Sequence, residues 1–228
     1  MRYLHRRLIA FDLDGTLVES RRDLADSAND LIVELGGEPL AVDAIAGMVG
    51  EGAGLLVRRA LDAAGLISTE GSREDDGSAL RRFLEIYDTR LLNHTFVYDG
   101  IEEVVRLARS HASAAVLTNK PLAASERILA AFGLRDLFDE VIGGDGPHPR
   151  KPDPTSLVAL MTRAGAGPAD TLLVGDSTVD LDTARRASAR CCLVTYGFGF
   201  GRAQLTSEEW TAGNAASLRR VIEEFVTG

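Results

Sequence analysis

Leu8-Ile9-Ala10-Phe11-Asp12-Leu13-Asp14-Gly15-Thr16-Leu17 joins an unbroken apolar run to two carboxylates at its end. Four consecutive apolar residues are the pattern of a buried β-strand. Asp12 and Asp14 follow at i and i+2, a spacing that points both side chains to one side of an extended chain. Both acids therefore face one small volume at the strand's C-terminal end. Such a pair resists ionisation unless a cation neutralises it, and Gly15 lets the chain turn sharply just beyond. The pattern points to a metal-assisted site with one acid as nucleophile. Taken alone, two acids at a strand end are as readily a solvated loop, so the weight falls on three later segments.

Ala114-Ala115-Val116-Leu117-Thr118-Asn119-Lys120 is a second apolar strand, ending in a hydroxyl and an amide. Thr118 and Asn119 can donate neutral hydrogen bonds to an anionic oxygen. Lys151-Pro152-Asp153-Pro154 offers one cation between residues stiffened by proline. Leu172-Leu173-Val174-Gly175-Asp176-Ser177-Thr178-Val179-Asp180 is another apolar strand closed by a carboxylate, with a second acid four residues on. Each has an ordinary explanation alone: a strand cap, a surface lysine, a helix N-cap. Together they supply a nucleophile, an acid/base, phosphate donors, a counter-cation and metal ligands.

Predicted strands run over Leu8–Asp12, Ala114–Thr118, Val141–Gly143, Thr171–Gly175 and Cys191–Thr195. Helical periodicity lies between them. Ile101, Val104, Val105 and Ala108 follow a predicted N-cap at Asp99. Leu157, Leu160, Met161 and Ala164 repeat the spacing, and a helix from Pro121 to Phe132 stops at Gly133. This alternation implies an α/β fold, a parallel sheet with helices on both faces. Ligands in such folds bind beyond the carboxyl ends of the strands, where Asp12, Asp14, Thr118 and Asp176 all fall.

Residues 19–93 break the alternation. Ser20–Gly36, with an apolar stripe of Leu24, Leu31, Ile32 and Leu35, reads as a helix, as do Gly54–Ala64 and Asp75–Leu92. The polar stretch Ser68–Ser78 reads as a mobile loop. The expectation is a helical insertion on a core formed by 1–18 and 94–228, hinged near Val18–Arg21 and Leu92–Tyr98.

The hexapeptide Asp12–Leu17 resembles the opening signature of the haloacid dehalogenase superfamily, and the three later segments resemble its other signatures in the same order. The resemblance implies a Rossmann-like core with an α-helical cap over the active site. It implies that Asp12 attacks phosphorus to form an aspartyl-phosphate, and that Asp14 serves as general acid and then base. It further implies Mg²⁺ held by Asp12, the Asp14 carbonyl and Asp176, with Asp180 as an outer ligand. Thr118 and Asn119 would hold phosphate oxygens, and Lys151 would offset the negative charge. The second aspartate favours phosphate over carbon–halogen chemistry. The absence of lysine between Glu19 and Asn93 disfavours a Schiff-base phosphonatase.

Gly50-Glu51-Gly52, followed by Arg58-Arg59-Ala60-Leu61, resembles the cap turn and helix of the phosphoglycolate phosphatase branch. Gly50, Glu51 and Arg59 are thus candidate substrate residues, with Arg59 a candidate partner for Glu51. A surface helix with two exposed arginines stands as the alternative. Gly197-Phe198-Gly199-Phe200-Gly201 also resembles that branch. It lacks dinucleotide-fingerprint spacing and is read as a flexible loop. The expectation is a Mg²⁺-dependent phosphatase of a small phosphorylated metabolite. A phosphosugar mutase and a catalytically silent binding protein on the same scaffold are the alternatives.

The chain has 228 residues, 45% of them hydrophobic, enough for one large and one small domain. Its 25 basic and 34 acidic residues give a formal charge of -9 and lack the basic footprint of a nucleic-acid partner. No run approaches transmembrane length and no signal peptide is evident, so neither a membrane nor a nucleic acid is expected as partner. Adjacent Cys191 and Cys192 read as buried filler in a reducing, cytoplasmic setting. The four histidines show no ligand spacing. Oligomeric state is open, a homodimer included.

Overall fold

A computed structural model describes residues 7–67 and 73–228. The strands are β1 (Leu8–Phe11), β2 (Val18–Glu19), β3 (Phe96–Val97), β4 (Ser113–Leu117), β5 (Glu140–Ile142), β6 (Thr171–Gly175), β7 (Arg190–Val194) and β8 (Trp210–Ala212). The helices are α1 (Arg21–Glu34), α2 (Val42–Ala46), α3 (Ala53–Ala63), α4 (Arg73–Arg90), α5 (Ile101–His111), α6 (Leu122–Ala131), α7 (Thr155–Ala164), α8 (Thr178–Arg186) and α9 (Ala215–Thr227).

Six strands form one parallel sheet in the order β5-β4-β1-β6-β7-β8. The near-continuous apolar runs read from the sequence belong to strands covered on both faces. Alternate residues of β1 divide between two cores: Ile9 and Phe11 join α5 and α9, while Leu8 and Ala10 join α7 and α8. On α5, Ile101, Val104, Val105 and Ala108 are buried as their spacing predicts. Each larger one contributes about 1.5–3 kcal/mol by leaving water. Cys191 and Cys192 are buried, unpaired fillers in β7.

Phe11 pairs with Val116 of β4 on one side and Val174 of β6 on the other. The register sets three strand ends side by side in the middle of the sheet. Asp12, Thr118 and Asp176 each begin the chain that leaves one of them.

The helical insertion forms between β2 and β3. These two short strands pair antiparallel, Val18 with Val97 and Glu19 with Phe96, so the two hinges form one ribbon. Leu24, Leu31 and Ile32 of α1, Leu56, Val57, Ala60 and Leu61 of α3, and Phe83, Ile86 and Tyr87 of α4 make the cap's buried interior. Asp23 of α1, also buried, accepts hydrogen bonds from the backbone N–H groups of His94 and Thr95 and from the Thr95 hydroxyl. That contact anchors the second hinge to the first cap helix.

Several expectations are corrected. Leu35 is 51% exposed, because α1 ends at Glu34 and Leu35 lies beyond its apolar stripe. The predicted loop over Ser68–Ser78 falls partly outside the described residues. Its described part, from Arg73, belongs to α4, since a polar stretch without proline suits a helix as well as a loop. The N-cap of α5 is Gly100, in the left-handed region at φ 75°, rather than Asp99. The sequence reading did not include α2, β8 or α9. For α9 the signal was present: Leu218, Val221, Ile222 and Phe225 are spaced for one helix face and are buried.

Candidate active site

At the end of β1, Asp12 is buried, and its amide donates to the Val174 carbonyl of β6 at 2.8 Å. Lys151 Nζ lies 2.9 Å from Asp12 Oδ1 and 2.6 Å from Asp180 Oδ1. Asp180 is fixed from its other oxygen. As the third residue of α8 it accepts from the amides of Asp176 and Ser177 and, at 2.7 Å, from the Ser177 hydroxyl. This capping box satisfies orphan donors at the helix start and aims the free oxygen at Lys151.

Asp176 sits in a cradle of glycines. Its Oδ2 accepts from the amides of Phe198 and Gly199, both at 2.9 Å. Gly15 stands at φ 83°, and a Cβ there would come within 2.3 Å of Asp176 Oδ2. A Cβ on Gly197 would meet Asp176 Cβ at 2.4 Å. The loop read as flexible therefore supplies donors to a core carboxylate. The glycines are needed because backbone must approach that carboxylate closely.

Asp12, Asp176 and Asp180 each present a carboxylate oxygen, all within 4.8 Å of one another. Burial pushes the Asp12 carboxyl up to about 6, with Asp180 and Asp14 adding to the shift and Lys151 opposing it. Burial and the neighbouring Asp180 and Asp12 likewise hold Asp176 well above the usual carboxylate range. Burial disfavours the Lys151 charge, but Asp12 and Asp180 outweigh it and hold the ammonium above the ordinary lysine range. Three clustered buried acids, only two of which meet the Lys151 ammonium, carry excess negative charge. An all-oxygen donor set of this kind fits a hard divalent cation such as Mg²⁺.

Asp14 faces a different set of partners. It accepts from the Ser20 hydroxyl at 2.6 Å, and Lys120 Nζ lies 3.0 Å from both of its oxygens. Lys120 also donates to the Tyr87 hydroxyl of α4, with its Nζ 4.5 Å from that ring's centroid. Burial opposes the Lys120 charge, yet Asp14 and Tyr87 outweigh it and raise its pKa. Burial also pushes the Tyr87 hydroxyl up to about 12. Ser20, Tyr87 and Lys120 were not among the sequence candidates. Lys120 directly follows Thr118-Asn119, and that position was the available signal.

Thr118 is buried at the end of β4, and its hydroxyl oxygen accepts from the Lys120 amide at 3.2 Å. Asn119 borders the cavity as well, and its side chain has two backbone partners. Its side-chain nitrogen donates to the carbonyls of Gly50 and Lys151, each at 2.9 Å. That amide therefore ties the cap turn to the core, and only its Oδ1 remains buried and unpartnered.

One cavity lies between cap and core, bordered by Asp12, Asp14, Thr118, Asn119, Lys120 and Gly50. Its cap side is mostly apolar, with Leu24, Leu56, Phe83 and Tyr87 among its walls. Glu51 and Arg59 do not border it. They pair with each other at 2.6 Å, both well exposed, because the turn points the Glu51 side chain along α3 toward solvent. The expected ion pair is present, and it lies outside the cavity that Gly50 borders.

A family model of haloacid dehalogenase-like hydrolases matches residues 9–194. The chain is 40% identical over 199 residues to a protein of Pseudomonas aeruginosa named phosphoglycolate phosphatase 1, covering 86% of this chain and 72% of that one. It is 40% identical over 191 residues to a phosphoglycolate phosphatase of Cereibacter sphaeroides, covering 83% and 85%. A crystal structure described as a predicted phosphoglycolate phosphatase of Haemophilus somnus superposes with a TM-score of 0.86 at 31% identity, over 97% of this chain and 99% of that chain. The match spans the strand ends that carry Asp12, Thr118 and Asp176 and the loop that carries Lys151, and the chain belongs to the haloacid dehalogenase-like hydrolases.

Proposed function

We propose that the protein is a Mg²⁺-dependent phosphatase of a small phosphate ester resembling phosphoglycolate. In this reading residues 1–18 and 94–228 are the catalytic core and 19–93 the cap. The observation that carries it is the convergence of Asp12, Asp176 and Asp180 on one another, with Lys151 paired to Asp12 and Asp180 and Asp14 bordering the same cavity as Asp12.

Phosphate monoesters are among the slowest substrates to hydrolyse unaided, with enzymatic accelerations up to about 10²¹-fold. Positioning and charge neutralisation must supply most of that. Asp12 attacks phosphorus, and the bond to the leaving oxygen breaks. Asp14 gives its proton to that oxygen, then takes one from the water that cleaves the aspartyl-phosphate. That second step releases phosphate and restores Asp12. Ser20 and Lys120 hold the Asp14 carboxylate in place for both transfers. Lys151 offsets charge beside Asp12, and Asp180 keeps it there. The Thr118 hydroxyl and the amides near Leu13 and Asp14 would bind phosphoryl oxygens. Asn119 keeps the cap turn closed through Gly50.

Asp12, the Asp14 carbonyl and Asp176 would hold Mg²⁺, with Asp180 behind them. The bound ion would neutralise phosphoryl oxygens and lessen their repulsion of the anionic nucleophile.

The names of the relatives support the substrate class, as does the sparse polarity of the cavity's cap side, which suits a short leaving group better than a polyhydroxylated sugar. Incubation with Mg²⁺ and a panel of phosphate esters tests the reading. Phosphate release is expected from two- and three-carbon esters, and Asp12→Asn should abolish it in a folded protein. No release from any ester, an activated aryl phosphate included, would defeat it.

A further inference from the structure

The chain contains 23 arginines but only two lysines, Lys120 and Lys151. Both lysines are at this site, and each side chain is only 2% exposed. The surface is served by arginine throughout, so the two ammonium groups are site components. Lys151 is engaged by Asp12 and Asp180. Lys120, unlike Lys151, borders the cavity, between Asp14 and Tyr87.

Among the described residues bordering the cavity, Lys120 is the only cation. The wall beyond Asp14 is largely hydrocarbon, including Leu24, Leu56 and Phe83. A neutral polar leaving group finds few partners there, and an anionic one finds a single partner. Among the described residues, Arg58, Arg59 and Arg150 near the cap turn do not border the cavity. Arg59 pairs with Glu51 outside the cavity, and Arg150 donates to the Gly144 carbonyl.

Position sets the reach. A leaving oxygen protonated by Asp14 must lie within hydrogen-bond distance of that carboxylate. Lys120 Nζ lies 3.0 Å from the same carboxylate. An anionic group one carbon from the leaving oxygen therefore comes within reach of the ammonium.

We propose that Lys120 is the specificity-determining residue of this enzyme. It pairs with a carboxylate carried by the leaving alcohol, and the Tyr87 hydroxyl gives up its place on the ammonium when that carboxylate arrives. The inference rests on the phosphatase reading and adds a residue and a charge requirement to it. Binding is electrostatic, and the pair is worth most when water is excluded.

The test compares kcat/KM for 2-phosphoglycolate and ethyl phosphate, which share a two-carbon primary alkoxide leaving group and differ in the carboxylate. Wild-type protein should favour 2-phosphoglycolate. Lys120→Met and Lys120→Gln should lower that preference by about 30-fold or more, as expected for loss of one partner of a buried charge pair. A ratio taken within one preparation does not depend on the fraction correctly folded. Glutamine can still hydrogen-bond Asp14 and Tyr87, so the second variant separates charge from packing.

An equal loss on both esters would overturn the proposal, since Lys120 would then act on Asp14 alone. Loss of the preference in Arg150→Ala, with the ratio intact in the Lys120 variants, would also overturn it. Lysine-specific ¹⁵Nζ labelling gives a readout apart from turnover, because the chain carries only two such side chains. Glycolate should shift the signal absent from Lys120→Gln, and an unmoved signal would count against the assignment. A wild-type protein that hydrolyses esters without preferring the carboxylate sinks this inference alone. One that hydrolyses none sinks the phosphatase reading.

Discussion

Asn119 donates its side-chain amide to the carbonyl of Gly50 at 2.9 Å and so joins the end of a core strand to the turn of the cap. The same nitrogen reaches the Lys151 carbonyl at 2.9 Å. One side chain thus ties the turn at Gly50 to the segment bearing Lys151.

Asn119→Ala removes both bonds and leaves two carbonyls to find new partners. The expected loss is about 1–3 kcal/mol in urea unfolding. A rise in KM of about tenfold should accompany it, with faster amide exchange over residues 48–53. Unchanged exchange in that turn would show that Asn119 does not hold it.

Asp180 accepts at one oxygen from the start of α8 and at the other from Lys151. Asp180→Ala removes an N-terminal partner and leaves a buried ammonium with one acid fewer. Breaking a buried pair costs about 3–5 kcal/mol. Denaturant unfolding should show a loss in that range. A loss under 1 kcal/mol would indicate that Lys151 is adequately held by Asp12.

The Asp12 carboxyl is held up at about 6, above its unfolded value of 3.8. The folded state therefore binds this proton more tightly than the unfolded state does. Stability from this group is present below about pH 4 and is lost as pH rises through 6. Without divalent cation, Asp12→Asn should raise stability at pH 7.5 by about 1–3 kcal/mol. The gain should shrink toward pH 5. A lower melting temperature for the variant at pH 7.5 would contradict this balance of burial and charge.

Divalent cation should reverse that penalty. Adding Mg²⁺ is expected to raise the melting temperature, and more at pH 7.5 than at pH 5.5, because protons compete for the same carboxylates. Gly197→Ala would drive a methyl group into Asp176. It should weaken Mg²⁺ binding by about 10- to 100-fold, the usual effect of disturbing a ligand's support. Titration calorimetry with Mg²⁺ reads this directly, and undiminished affinity would remove the glycine cradle from the metal site's support.

Some of the site was legible because its signals are local. Asp12, Thr118 and Asp176 each follow an apolar strand, and burial on both sheet faces leaves that run in the sequence itself. Leu35 misled for the opposite reason: its spacing continued the stripe of α1, but the helix had already ended. The placement of Glu51 and Arg59 outside the cavity was not legible, because a turn's direction, and not its composition, decides which side chains border it.

By itself the sequence determined the alternating α/β core, the helical insertion and the acids at the strand ends, since periodicity and burial act over neighbouring residues. Tertiary structure alone decided the partners. Asp14 and Lys120 are 106 positions apart, and Lys120, beyond β4, and Tyr87, on α4, are 33 apart. The order β4-β1-β6 brings such residues together, and no local pattern encodes which strands become neighbours. A buried charge acquires its role from whatever long-range packing sets beside it.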